Sequence, residues 1–137
     1  MTALDGKCLC GGVTFKVDKP THLDSCHCTT CRRWNGGVYI GLDFTQVDFQ
    51  TQDGLTWFRS SDWAERGFCN RCGTSLFYRL VADKEKLSVC AGAIENLPDE
   101  TPLTKEYFID EKPGFYNFEG ERQKLTGAEV FAMYGAE

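Results

Sequence analysis

Seven of the eight cysteines fall into short groups whose spacing suits metal binding. They are Cys8-Leu-Cys10, Cys26-His-Cys28-Thr-Thr-Cys31 and Cys69-Asn-Arg-Cys72, with Cys90 alone. In an extended strand, residues i and i+2 point to the same face, so Cys8 and Cys10 can present two sulfurs together. Two sulfurs do not complete a tetrahedral zinc site. Cys69 and Cys72 form a CxxC knuckle that places two thiolates on one zinc. Gly73 follows directly, and glycine takes the left-handed backbone conformation that such a turn often requires. Pairing these two units gives four cysteine ligands, a closed site and a structural role. The competing reading leaves CxC and CxxC as unrelated free thiols. Structural zinc is associated with roughly 10–16 kcal/mol of apparent binding free energy. A whole domain is stable by only about 5–15 kcal/mol. Loss of this metal should therefore unfold the chain.

The middle group is different. Cys26 and Cys28 have same-face spacing, and Cys31 follows after a turn. Three thiolates on one zinc leave its fourth position for water or substrate, as in catalytic sites. A thiol taken up there binds as thiolate, because the metal lowers its pKa. Three thiolates and one Zn²⁺ sum to −1, and Arg32 and Arg33 could offset that charge, attract an anion, or simply be solvated. Two residues could close the vacancy. His27 lies between Cys26 and Cys28, where alternation sends it to the opposite face. Cys90 lies in the apolar run Ser88-Val-Cys-Ala-Gly, which suits a small buried hydrophobe. A metal-free dithiol of Cys28 and Cys31 is a further reading, against which the additional Cys26 argues. His22 carries no motif and reads as a loop histidine.

These residues need a scaffold. At 137 residues the expectation is one domain, 1–137, with its own core. Ten Phe, five Tyr and three Trp against two Met point to an aromatic, strand-rich interior. Apolar residues alternate at Val13, Phe15 and Val17, and again at Val38, Ile40 and Leu42. Residues 55–59, 75–81 and 87–91 are further strand candidates. Residues 29–35 predict one or two helical turns. Thr126-Gly-Ala-Glu129 has capping-box spacing before Val130, Phe131 and Tyr134. The reading is mainly β with short helical pieces.

Charge and hydropathy narrow the partners. A net charge of −5 argues against a general nucleic-acid binder. No stretch approaches the roughly 20 apolar residues of a membrane span, and the first ten residues lack the apolar run of a signal peptide. A reducing, cytoplasmic setting is expected, in which cysteines serve as metal ligands or catalytic thiols rather than disulfides.

Three pieces resemble the glutathione-dependent formaldehyde-activating (GFA) family, which also contains the domain of centromere protein V. They are Gly6-Lys-Cys8-Leu-Cys10-Gly-Gly-Val-Thr-Phe15, Cys26-His-Cys28-Thr-Thr-Cys31-Arg32 and Gly67-Phe-Cys69-Asn-Arg-Cys72-Gly-Thr-Ser-Leu-Phe77. They occur in family order, and the resemblance spans roughly residues 5 to 118. It implies a zinc-stapled β-tent of several small curled antiparallel sheets. It implies two zincs per chain: a structural one on Cys8, Cys10, Cys69 and Cys72, and a catalytic one on Cys26, Cys28 and Cys31. The family's named reaction joins glutathione and formaldehyde into S-hydroxymethylglutathione and is classed as carbon–sulfur lyase chemistry. The chain departs from the family where members often carry a His-Ile pair near residues 105–112 and a Trp shortly after. Here that stretch has no histidine, and Phe115 stands in the place of the Trp.

The expected function is a zinc-dependent lyase-type enzyme acting on a thiol adduct, with a small thiol such as glutathione as partner. No His, Glu or Asp is placed by motif as its general base. The alternative is a zinc module that binds or carries a thiol without turnover. A third reading, by analogy with centromere protein V, is a structural or nucleic-acid-associated module, against which the acidic charge counts.

Overall fold

The computed structural model describes residues 3–134, and every structural statement below concerns these residues. The alternation at Val13, Phe15 and Val17 becomes β2 (Val13–Asp18), with those three side chains buried and Lys16 facing solvent. β1 (Ala3–Lys7) pairs antiparallel with β2, and β5 (Asp48–Gln52) takes its other edge. Gly6 lies against the Phe15 ring so closely that a Cβ would fall 2.3 Å from it, so this position of β1 takes glycine.

A second sheet runs β6 (Leu55–Arg59), β7 (Ala64–Cys69), β8 (Ser75–Leu80) and β9 (Asp83–Val89), each antiparallel to the next. Phe77 joins it to the first sheet. Its ring meets Phe15 at 5.0 Å, Phe49 at 5.4 Å and Trp57 at 6.0 Å between centroids. Edge-to-face and offset contacts of this kind add to the area they bury.

The remaining sheet carries the open cysteine group. Its order is β11 (Gln123–Leu125), β10 (Leu103–Tyr107), β3 (Leu23–Cys26) and β4 (Tyr39–Gly41). It departs from the all-antiparallel expectation: β10 runs parallel to both β3 and β11. The buried run Leu23, Asp24 and Ser25 of β3 fits a strand covered on both faces. Isolated bridges Gly41–Cys90 and Thr45–Leu87 attach this sheet to the second one.

Among the described residues there are two α-helices, α1 (Thr29–Asn35) and α2 (Gly127–Tyr134), and two single-turn 3-10 segments. The capping box before α2 forms as the spacing predicts. The Glu129 backbone N–H donates to Thr126 Oγ1 at 3.2 Å, and the Thr126 N–H donates to Glu129 Oε1 at 2.8 Å. Gly127 is buried in that turn, and a Cβ there would meet the Phe108 ring at 2.8 Å, so the position takes glycine. The strand prediction at 55–59 matches β6, whereas that at 87–91 covers only the buried end of β9.

Phe77 joins two sheets through its contacts with Phe15 and Phe49, and packs on Trp57 within its own sheet. Truncation of Phe77 to alanine is expected to cost about 3–5 kcal/mol. Urea denaturation followed by tryptophan fluorescence measures this loss.

Candidate functional site

Cys8 and Cys10 lie in the turn after β1 rather than in a strand, so the turn and not strand alternation brings them together. Their sulfurs stand 3.6 Å apart, and Cys10 Sγ lies 3.7 Å from Cys69 Sγ. A tetrahedron with Zn–S bonds of about 2.3 Å has edges of about 3.8 Å, so this spacing fits zinc. Cys72 completes the group, and all four sulfurs lie within 4.8 Å of one another. Gly73 adopts φ +81° beyond the knuckle, and its N–H donates to the Cys69 carbonyl at 2.7 Å. The Val13 N–H donates to Cys8 Sγ, and the Thr74 hydroxyl lies 3.1 Å from Cys72 Sγ. That hydroxyl contact draws the Cys72 thiol down to about 5. These neighbours favour thiolate, the form that metals bind.

Cys26, Cys28 and Cys31 form a second group, also within 4.8 Å. Cys26 ends β3, the chain stays extended through Cys28, and Cys28 caps α1 with φ −65° and ψ 155°. The neighbouring thiols of Cys26 and Cys31 draw the Cys28 pKa far below its usual value. The Cys31 backbone N–H also donates to Cys28 Sγ at 3.3 Å. Neither Cys90 nor His27 belongs to this group. Cys90 contacts Ser75 Oγ, and burial pushes its thiol up to about 11.

The counter-charge comes from a residue with no motif. Arg66 is buried in β7, and its two terminal nitrogens donate to Cys31 Sγ at 3.5 and 3.6 Å. Its Nε donates to Ser60 Oγ, and its guanidinium lies over the Tyr78 ring at 4.9 Å. No carboxylate pairs with it among the described residues, so its partner is the cysteine group. One Zn²⁺ with three thiolates carries −1, which one guanidinium neutralises; the donor set and its surroundings fit that ion. Arg32 does not take this role. It donates to the backbone carbonyls of His27 and Glu111, while Arg33 is exposed. One signal of Arg66 was available in the sequence: a charged residue two positions from Ala64, on the side of β7 that Ala64 buries.

His27 points away from the sulfurs, as alternation predicts, and is fully buried. Its Nε2–H donates to Glu106 Oε1 at 2.8 Å, and its Nδ1 accepts from the Tyr116 hydroxyl at 2.6 Å. Arg122 pairs with the other Glu106 oxygen at 2.9 Å. This network braces the cysteine loop against β10. His22 stands 3.7 Å from Asp24 and 3.9 Å from Asp43, the other group with ligand-type spacing among the described residues.

The three-cysteine group opens into a cavity of about 530 Å³. Cys26, Cys28, Cys31 and Arg66 form part of its lining, which includes residues of β4, β7, β8 and α2. The four-cysteine group contributes nothing to this cavity. Sequence reading missed the contribution of α2, because its docking depends on contacts across the whole chain.

A mainly-β protein with one closed and one open cysteine cluster is the class that fold and sites define. Residues 3–111 match the family described as glutathione-dependent formaldehyde-activating enzyme. The chain belongs to this family and is an enzyme of its type. It is 30% identical over 133 residues to an uncharacterized lyase of Schizosaccharomyces pombe, covering 95% of this chain and 96% of that one. A Halomonas elongata protein, provisionally named a glutathione-dependent formaldehyde-activating enzyme, is 28% identical over 88% of this chain and 83% of its own. A crystal structure of a Rhodobacter sphaeroides protein shares the fold, with TM-score 0.57 and 22% identity over 73% of this chain and 99% of that one.

Burial raises the Glu106 carboxyl, but hydrogen bonds from Arg122 and His27 outweigh it and leave the pKa below its usual value. A depressed folded pKa adds stability above the unfolded value of about 4.3, and that stability is lost as pH falls through the folded pKa. Glu106→Ala, which strands Arg122, is expected to cost about 3–5 kcal/mol near neutral pH. Denaturant titrations from pH 7 to 3 should show the gap between wild type and variant narrowing on acidification.

Proposed function

We propose that this protein is a zinc-dependent carbon–sulfur lyase-type enzyme that makes and breaks the bond between a thiol sulfur and an aldehyde carbon. Cys8, Cys10, Cys69 and Cys72 hold a structural zinc, and Cys26, Cys28 and Cys31 hold a catalytic one. The observation that carries the reading is a three-sulfur group that opens on a chamber and is charge-matched by a buried arginine. The named activity of the Halomonas relative supports a small thiol such as glutathione and formaldehyde as the reactant class. A reducing compartment such as the cytoplasm suits both clusters.

When bound at the triad, zinc supplies a vacant coordination position at which a thiol sulfur is held as thiolate. The chain's own residues do the rest. Arg66 keeps the charge of the three sulfurs in balance from a fixed hydrogen-bonded position. The chamber has room to hold thiol and aldehyde together, which supplies proximity. In addition, the sulfur electron pair forms the C–S bond, the C=O π pair moves to oxygen, and that oxygen takes a proton. Cleavage is the reverse. Tyr78 lines the chamber, and burial pushes its phenol up to about 12, so it remains a proton-bearing donor for the forming hydroxyl.

Metal analysis of freshly purified protein should give two zincs per chain. A content of one would contradict the partition. NMR exchange spectroscopy on thiol–formaldehyde mixtures should show faster adduct formation and cleavage with the zinc-loaded protein than in buffer. Thiol binding without acceleration would instead indicate a carrier. Cys28→Ser should abolish the acceleration while the fold survives. Cys69→Ser should lose the fold, as judged by circular dichroism. Tyr78→Phe should lower kcat about 10²-fold, the lower range for general acid–base contributions.

A further inference from the structure

The chamber above the three cysteines is walled by aromatic rings. Trp63 and Phe108 meet Phe131 edge-on at 5.8 and 5.6 Å, and Phe44 meets Tyr134 at 6.5 Å and Tyr78 at 6.1 Å. All six residues line the cavity, and they come from β8, α2 and the loops between elements. The cavity is far larger than formaldehyde needs, so it accommodates the body of the other reactant. Its charges are one-sided. Asp24, Asp43 and Asp62 line it, and Arg66 is the one Lys or Arg among the described residues that does. That guanidinium is already committed to Cys31. His22 lies beside Asp24 and Asp43 but does not line the cavity.

Glutathione carries two carboxylates and one ammonium. One aspartate could take the ammonium, but both carboxylates would then stand among the remaining aspartates with no free cation, in a lining whose other polar groups are mostly neutral hydroxyls. A thiol with an uncharged ring or branched apolar body meets the opposite conditions. Its sulfur reaches the cysteine group, and its body replaces water against the aromatic faces. We infer that the sulfur substrate is a thiol with an uncharged, apolar, ring-sized body, selected over glutathione by the aromatic chamber and its aspartates. This inference rests on the carbon–sulfur lyase reading and narrows its substrate. The reaction consumes RSH and an aldehyde and yields the hemithioacetal RS–CH(OH)R′, with no redox change and no further reactant.

Benzyl mercaptan and glutathione are the probes, each with formaldehyde and the zinc-loaded full chain. Exchange NMR gives kcat/KM, and calorimetry gives Kd for each thiol alone. The inference expects benzyl mercaptan to be favoured by at least about tenfold in both, within the range that apolar pockets supply. Turnover of glutathione as well as or better than benzyl mercaptan overturns the inference and leaves the lyase reading intact. Turnover of neither overturns the lyase reading. Kd then decides the chamber's preference: tighter benzyl mercaptan supports it, and equal or weaker binding overturns it. Two variants at exposed positions check the cause. Trp63 is 41% exposed, and Trp63→Arg adds a cation to the wall. Asp62→Lys reverses a charge at the rim. Each should shrink the benzyl-to-glutathione ratio several-fold, and an unchanged ratio in both overturns the inference.

Discussion

A buried guanidinium held against a buried sulfur sets the conditions for the functional half of this molecule. Arg66 is 5% exposed and has no carboxylate partner among the described residues. An isolated charge in such a place is costly, so the cysteine group must itself be negative. Three thiolates around one zinc would supply that single negative charge. The same pairing ties β7 to the first turn of α1 and fixes Cys31 relative to Cys26 and Cys28. Arg66 therefore belongs to the site electrically as well as sterically.

The two clusters differ in where the fold places them. The four-cysteine group joins the turn after β1 to the end of β7 and the turn that follows it, and lines no part of the chamber. Its sulfurs already stand near tetrahedral spacing, and its neighbours satisfy them. The three-cysteine group joins the end of β3 to α1, and its remaining side faces a cavity. Closure of one and openness of the other follow from which elements surround each, since both use the same ligand chemistry. His27, Glu106 and Arg122 hold the loop of the open group from behind, so the cysteines need not depend on the metal alone for position.

Much of this was legible in the sequence, and the limits have physical causes. The joining of Cys8 and Cys10 to Cys69 and Cys72, about sixty residues away, followed from ligand count. The cysteine groups themselves were readable because spacing within each is local. So were α1, β6 and the capping box of α2, since caps and strand alternation act over a few residues. Strand alternation was the wrong reason for Cys8 and Cys10, which a turn brings together. Local patterns do not encode the parallel pairing of β10 with β3, which joins segments about eighty residues apart. Arg66 and the aromatic chamber escaped for the same reason. Apart from the charge at Arg66 on the buried side of β7, they arise where β7, β8, α2 and three loops converge.

The central claim is that one metal position is closed and the other is open to a thiol. Cadmium-113 NMR of the cadmium-substituted protein tests it directly. Two resonances in the thiolate-rich region are predicted, and an added thiol should shift only one of them. A single resonance, or two that both move with added thiol, would contradict the division of the seven cysteines.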